Sequence, residues 1–201
     1  MPYRGDVFRA GHYYHLYNRG VGGTLIFFNY DNYEYCLQLI DRYSQPHGAA
    51  VIAYCLMPNH YHLLIRQATD EPLSTFIRVL FNAYLQAVNQ QKGRRGPLFE
   101  GRFRHVWVDR EEYLIHLCRY VHLNPVQARL VEAPEEWKYS NYPQYIGERA
   151  ARLPHDSFIL DRFPAPGAYR SFVTEYLDQP LAPDEIQRYL LEKGSAPSQR
   201  L

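Results

Sequence analysis

A chain of 201 residues, 46% hydrophobic and 21% charged, is long enough to bury one main core and excludes a largely disordered protein. A formal net charge of +1 offers polyanions no global attraction, so any nucleic-acid role has to rest on local clusters of cations. Cys36, Cys55 and Cys118 are scattered and odd in number, which argues against a disulfide framework and against a Cys-rich zinc module. The N-terminal MPYRGDVFRAG has no apolar core of a signal peptide and no apolar run approaches bilayer-spanning length, so the expectation is a soluble, cytoplasmic protein with no membrane partner. Nineteen tyrosines are an unusual load, suited to cores, interfaces and stacked bases alike.

In chain order, HYYHLYNR (12 to 19) alternates like a strand and runs into Gly-rich residues. After a capping-type cluster at Asn29 to Asp31, YEYCLQLIDRYS places Tyr33, Cys36, Leu37, Ile40 and Tyr43 near helical spacing. AAVIAYCLM (49 to 57) reads as a buried strand, and HYHLLIR (60 to 66) follows it across a Pro58-Asn59 turn as the second arm of a hairpin. Residues 72 to 91 carry Phe76, Leu80, Tyr84 and Val88 at intervals of four, a helix opened by Pro72.

Residues 92 to 105 form a Gly-rich loop with Lys92, Arg94, Arg95, Arg102 and Arg104 against Glu100 alone, leading into the strand RFRHVWV. DREEYLIHLCRYVHLN (109 to 124) predicts a helix with Asp109 as N-cap, Glu111 and Glu112 at its positive end, and a core stripe of Leu114, Leu117, Cys118 and Val121. Pro125 is expected to interrupt it. From about residue 146 the composition turns Pro-rich, with short helical segments near 167 to 177 and 184 to 192, so residues 1–146 are expected to form the main domain and residues 147–201 a partly helical appendage. The β-α-β-β-α-β-α order predicts an α+β, ferredoxin-like (split βαβ) domain: an antiparallel sheet with helices packed on one face.

The chemistry gathers at LMPNHYHLLI (56 to 65). Side chains at i and i+2 of a strand share a face, so His60 and His62 stand together while Tyr61, Leu63 and Ile65 turn to the core. Two imidazoles fill little of a metal's coordination shell, and the bland alternative is a pair of hydrogen-bonded strand histidines. Sixty residues on, Tyr120 and Asn124 lie one helical turn apart, on a side of the last helix roughly 110° from its apolar stripe. A phenol is a poor nucleophile until a cation polarises the phosphate it attacks, so a tyrosine and a carbonyl-bearing side chain near two histidines would suit metal-assisted phosphoryl transfer. Against this, Tyr120 has the alternative of an ordinary half-buried aromatic, and Asn124 that of an N-cap for a following helix PVQARLV with Pro125 at its first position.

Taken in order, LMPNHYHLLI, GPLFEGRFR and EYLIHLCRYVHLNPV resemble the Y1 tyrosine transposases, the IS200-like and REP-associated family, over roughly residues 10 to 145, including a trailing WKYSNY. The resemblance implies a histidine-hydrophobe-histidine (HUH) fold and a single-strand DNA endonuclease and transposase acting near hairpins. It implies that His60 and His62 bind Mg2+ or Mn2+, that Tyr120 attacks the scissile phosphate to give a 5′-phosphotyrosine and a free 3′-OH, and that Asn124 stands where the family places a third metal ligand. Tyr61 between the histidines, and Arg129 where many relatives have Gly, are departures from the pattern. The basic loop, with Phe99, Phe103 and Trp107 interleaved, would contact single-stranded or hairpin DNA; Arg19 is a further candidate contact, and His116 a candidate accessory residue. Cytoplasmic, nucleoid-associated location and a possible homodimer go with this reading. A hairpin nucleic-acid-binding protein that has lost cleavage, and a zinc-stabilised domain using His60, His62 and Cys118 or His116, are the alternatives.

Overall fold

The computed structural model describes residues 8–153, 158–163 and 165–177. The predicted helix at 184 to 192 lies outside them. The strands are β1 (Tyr13–Arg19), β2 (Ala49–Met57), β3 (His60–Gln67) and β4 (Arg104–Val108); the helices are α1 (Tyr30–Ser44), α2 (Leu73–Gln91), α3 (Glu111–Gln127), the single turn α4 (Tyr142–Tyr145) and α5 (Pro166–Thr174). The four strands form one antiparallel sheet in the order β2-β3-β1-β4, the split βαβ arrangement. Asn29 caps α1 as expected, its side chain accepting from the Asn32 backbone N–H at 3.1 Å.

Strand alternation divides the sheet into two apolar faces. Tyr14, Leu16, Val51, Tyr54, Leu56, Tyr61, Leu63 and Ile65 pack with α1 and α2 on one. Ile52, Cys55, Met57, Leu64 and Val108 pack with α3, α4 and α5 on the other. The expectation of helices on one face therefore holds for α1 and α2 and is corrected for α3, which crosses to the opposite side. The cause is that Leu114, Leu117, Cys118 and Val121, all fully buried, match the apolar residues of β2 and β3 that α1 and α2 leave uncovered. Burial of each of the larger members stabilises the docked helix by roughly 1.5–3 kcal/mol.

Two further corrections concern the ends of α3. Its N-cap is Arg110 rather than Asp109, with Glu111 and Glu112 still in the first turn. Pro125 does not stop it: the helix runs through to Gln127, so Asn124 lies inside it and the alternative of Asn124 capping a separate helix fails. Proline lacks the N–H that would bond the Val121 carbonyl, a local loss that the buried surroundings of Leu123, Asn124 and Pro125 tolerate. The helix ends in a Schellman motif, with the Arg129 N–H on the Val126 carbonyl at 2.8 Å and the Leu130 N–H on the Pro125 carbonyl at 2.9 Å. That motif requires a left-handed residue, and Arg129 supplies it at φ +55°.

WKYSNY runs along the free edge of β2. The Leu56 N–H donates to the Tyr139 carbonyl at 2.9 Å, and the Trp137 indole N–H to the Leu56 carbonyl at 3.1 Å. Asn141 is the centre of this join. Its Oδ1 accepts from the Tyr54 N–H at 2.8 Å and from His122 Nε2 at 2.9 Å, while its Nδ2 donates to the Ile52 carbonyl at 2.7 Å. Ile52 sits at a register irregularity of β2, between Val51 and Ala53, where ladder bonding breaks and its carbonyl accepts from both Asn141 and the Tyr145 hydroxyl. His122 Nδ1 accepts from the Tyr169 hydroxyl at 2.7 Å, which ties α5 to α3. Burial pushes the His122 imidazole down to about 4 against a hydrogen bond to Asn141 that opposes the shift, so it is neutral in the fold.

Asn141→Ala strands a backbone N–H and an imidazole N–H in the interior, while the Ile52 carbonyl keeps the Tyr145 hydroxyl, and urea unfolding should show a loss of about 3 kcal/mol; a loss under about 1 kcal/mol would mean the edge is held without it. Arg129→Gly relieves the left-handed strain, and the same measurement should show a gain of about 1 kcal/mol.

Candidate functional site

Register brings the predicted residues together. Across β3 and β1, His62 is paired with Tyr17 and His60 with Arg19, and β4 continues the first of these rows by setting Arg104 opposite Tyr17. His60, His62, Tyr17, Arg19 and Arg104 therefore share the face that carries α3. The rings of His60 and His62 lie 5.0 Å apart between centroids and nearly perpendicular. From α3, the Tyr120 ring meets His62 edge-on at 5.6 Å and His15 at 6.5 Å.

Asn124, one turn after Tyr120, donates from Nδ2 to the Tyr120 carbonyl at 3.1 Å. Its side chain also comes close enough to His62 to bear on the protonation of that ring. Tyr120 and Asn124 on α3 and His62 on β3 are all buried, and Tyr120 packs in the same apolar cluster as Leu117, Cys118 and Val121 rather than apart from it. The histidine pair, the tyrosine and the amide thus meet within one chain.

The tip that carries His60 is fixed from behind. The Pro58 carbonyl accepts from the Ile26 and Phe27 N–H groups at 2.8 and 3.0 Å, and the Asn59 carbonyl from the Gly20 N–H at 2.8 Å. Gly20 is required there, since a Cβ would meet the Thr24 carbonyl oxygen at 2.0 Å. His60 Nδ1 and Asn59 Oδ1 are 2.7 Å apart, and the Asn59 Nδ2 is taken by the Gly23 carbonyl at 3.3 Å. Asn59 therefore turns its oxygen to the ring and His60 Nδ1 is the donor.

Burial, first, and then the neighbouring His60 and His15 hold His62 well below the usual histidine range, with the Asn124 hydrogen bond opposing. A neutral imidazole keeps one lone pair, which is what a metal ligand needs. Among the described residues no three His, Cys, Asp or Glu side chains gather as a metal site. Asn124 is the amide in reach of His62. Two neutral nitrogens and one neutral oxygen fit a borderline divalent ion such as Mn2+ and leave room in its shell for phosphate oxygens and water.

The remaining predicted residues divide. Arg102 and Arg104 are exposed, Arg104 directly beside the site face. Arg19 forms an ion pair with Glu100, so the lone acid of the loop offsets its charge. Lys92 lies over the Phe28 ring at 4.8 Å, Arg94 donates to the Pro97 carbonyl at 3.1 Å, and Arg95 is exposed on the same loop. Of the interleaved aromatics, Phe99 and Phe103 pack against the core, and Trp107 stacks on His12. Strand alternation turns Trp107 away from the face that holds Arg104. His116 pairs with Arg119 at 2.9 Å and packs near Phe172, and Cys118 contacts the Tyr169 hydroxyl at 3.3 Å, so neither supplies a zinc site with the histidine pair. Two site residues escaped the sequence reading: His15 and Tyr17, whose rings stack beside His62. Their alternation in HYYHLYNR marks a shared face, but not the strand they would lie against.

Comparison with known proteins bears on both family and fold. Residues 11–124 match the family described as "Transposase IS200 like". A solved structure of a REP-associated tyrosine transposase bound to a REP hairpin aligns with a TM-score of 0.62 at 16% identity, covering 73% of this chain and 86% of that one. Weaker structural likenesses, with TM-scores of 0.40 and 0.43, are to a protein of Deinococcus radiodurans described as a transposase (16% identity, 59% of this chain, 94% of that one) and to tRNA(His) guanylyltransferase of Saccharomyces cerevisiae (10% identity, 84% and 73%). No match is found among curated proteins. No helix among the described residues is long and apolar enough to cross a membrane.

Proposed function

The chain belongs to the IS200-like transposase family, and from that premise we propose that it is a metal-dependent endonuclease and transposase acting on single-stranded DNA beside a hairpin. The observation that carries this reading is the meeting of Tyr120 with the His60–His62 pair and Asn124 inside one chain, with the Tyr120 ring 5.6 Å from that of His62. Each residue has a use. His60, His62 and Asn124 are the donors that would hold Mg2+ or Mn2+. When bound, such an ion supplies charge that polarises the scissile phosphate and favours the phenolate.

The Tyr120 hydroxyl oxygen attacks the phosphorus in line with the leaving 3′-oxygen. The O–P bond to Tyr120 forms as the P–O3′ bond breaks; the phenol gives up its proton and the departing 3′-oxygen takes one up. The products are a 5′-phosphotyrosine on Tyr120 and a free 3′-OH on the other piece, and attack by a 3′-OH on the phosphotyrosine rejoins DNA and restores the phenol. Asn124 steadies this geometry through its hydrogen bond to the Tyr120 carbonyl, and the Tyr120 ring is buried edge-on to His62.

Arg102 and Arg104, exposed at the entry to β4, are the phosphate contacts nearest the site, with Lys92, Arg94 and Arg95 further along the loop. Arg19 is a contact of a different kind, since its ion pair with Glu100 would have to open or be shared. A hairpin substrate is supported by the structural neighbour, whose own partner is a REP hairpin.

The test uses the full chain, Mn2+ and hairpin-bearing oligonucleotides labelled at either end. The 3′ label should remain with the protein through denaturing electrophoresis while the 5′ label is released. Tyr120→Phe should reduce the covalent band to background while hairpin affinity stays near that of the wild type. An adduct that persists in Tyr120→Phe removes Tyr120 from the role, and binding without cleavage over a range of hairpins would favour the non-cleaving alternative.

A further inference from the structure

The histidine that the sequence reading passed over touches the pair it singled out. His15 on β1 lies diagonal to His62 on β3, one step along from the Tyr17–His62 cross-strand pair. Its Nε2 is 2.9 Å from His62 Nδ1, the two rings are close to parallel, and both residues are almost wholly buried. A hydrogen bond between two neutral imidazoles has a direction: one nitrogen gives the proton, the other accepts, and the choice sets the tautomer of both rings.

We propose that His15 is a positioning residue that accepts the Nδ1 proton of His62 and thereby leaves His62 Nε2 as the lone-pair nitrogen. The opposite direction would place a proton on Nε2, directed at the Asn124 side chain, and block that nitrogen from any cation. The direction rests on the reading of His62 as a metal ligand. It has a counterpart at the neighbouring ring. His60 Nδ1 donates to Asn59 Oδ1 at 2.7 Å, so Nε2 is the lone-pair nitrogen there as well. Two different partners, an amide on the hairpin turn and an imidazole on the next strand, thus hold both rings in the same tautomer. Second partners of this kind orient a ligand ring and raise its basicity. By burial alone His15 would be a core residue with no bearing on the His62 tautomer.

Two measurements do so on the full chain. Long-range proton–nitrogen correlation on histidine-labelled, metal-free wild-type protein reads the tautomer directly: the proton of His62 should be on Nδ1, and a proton on Nε2 overturns the proposal. Calorimetric titration with Mn2+ alone then compares variants. His15→Phe keeps a stacking ring and removes the acceptor, and should raise the dissociation constant about 10- to 100-fold; His15→Gln restores an acceptor and should recover most of that loss. His15→Phe binding Mn2+ like the wild type overturns the proposal, as does a folded His15→Gln no better than His15→Phe. Wild-type protein that takes up no Mn2+ yet carries the proton on Nδ1 sinks the metal reading of the site and supports the hydrogen bond assigned to His15.

Discussion

The site depends on where one helix lies. Tyr120 and Asn124 face His62 because α3 is docked on the sheet face opposite α1 and α2, and that docking is a matter of both apolar area and polar anchorage. Leu114, Leu117, Cys118 and Val121 supply the area against Ile52, Cys55 and Leu64. Area alone is non-directional and would let the helix slide or rotate. The His122–Asn141–Tyr54 chain of buried hydrogen bonds sets a definite position, because any slip leaves polar groups without partners in the interior. Cation–π packing of Arg119 over Phe172 at 4.4 Å and the Tyr169–His122 bond bring α5 against the other side of the same helix. Tyr120, as the proposed nucleophile on a helix held from both sides, has little conformational freedom to lose on reaching a substrate.

The histidines are held by different means with the same effect. They open β3 directly after a tight turn, where strand ends usually fray. Here the turn carbonyls of Pro58 and Asn59 are taken by backbone N–H groups of the segment 20–27, and the strand is flanked by neighbours on both edges. Nδ1 of His60 and Nδ1 of His62 are engaged by Asn59 and His15. The loop that follows Arg95 is tied to the same end of the sheet by a bridge between Gly20 and Phe99 and by the Arg19–Glu100 pair. The basic residues Arg102 and Arg104 therefore enter β4 from a fixed point beside the site rather than from a free loop.

What could be read from the sequence was local. The β2–β3 hairpin, the pairing of His60 and His62 on one face, the cap at Asn29 and the apolar stripe of α3 are each set within a few residues, and the structure has them. The side of the sheet chosen by α3 was not legible, because it is decided by which face α1 and α2 leave open. Pro125 misled the reading of the helix end: its missing N–H is a local penalty, while the burial that tolerates it is tertiary. His15 and Tyr17 were invisible as site residues for the same reason, since their neighbours come from a strand some 45 residues away in the chain and register is a long-range property. The charge on Arg19 looked available until the fold brought Glu100 to it. Asn141, unremarkable within WKYSNY, became a structural centre once the fold turned both the Tyr54 N–H and the His122 ring to its side-chain oxygen.

The central claim is that His60, His62 and Asn124 act together as donors next to Tyr120. Anomalous diffraction at the manganese edge, from crystals of the wild-type protein grown with Mn2+, tests it most directly. The account predicts a peak bonded to an imidazole nitrogen of His60, to one of His62 and to the Asn124 amide oxygen, with Tyr120 of the same chain beside it. A peak held by the histidines with Asn124 turned away would limit Asn124 to its bond with the Tyr120 carbonyl, and no peak at the pair would contradict the account.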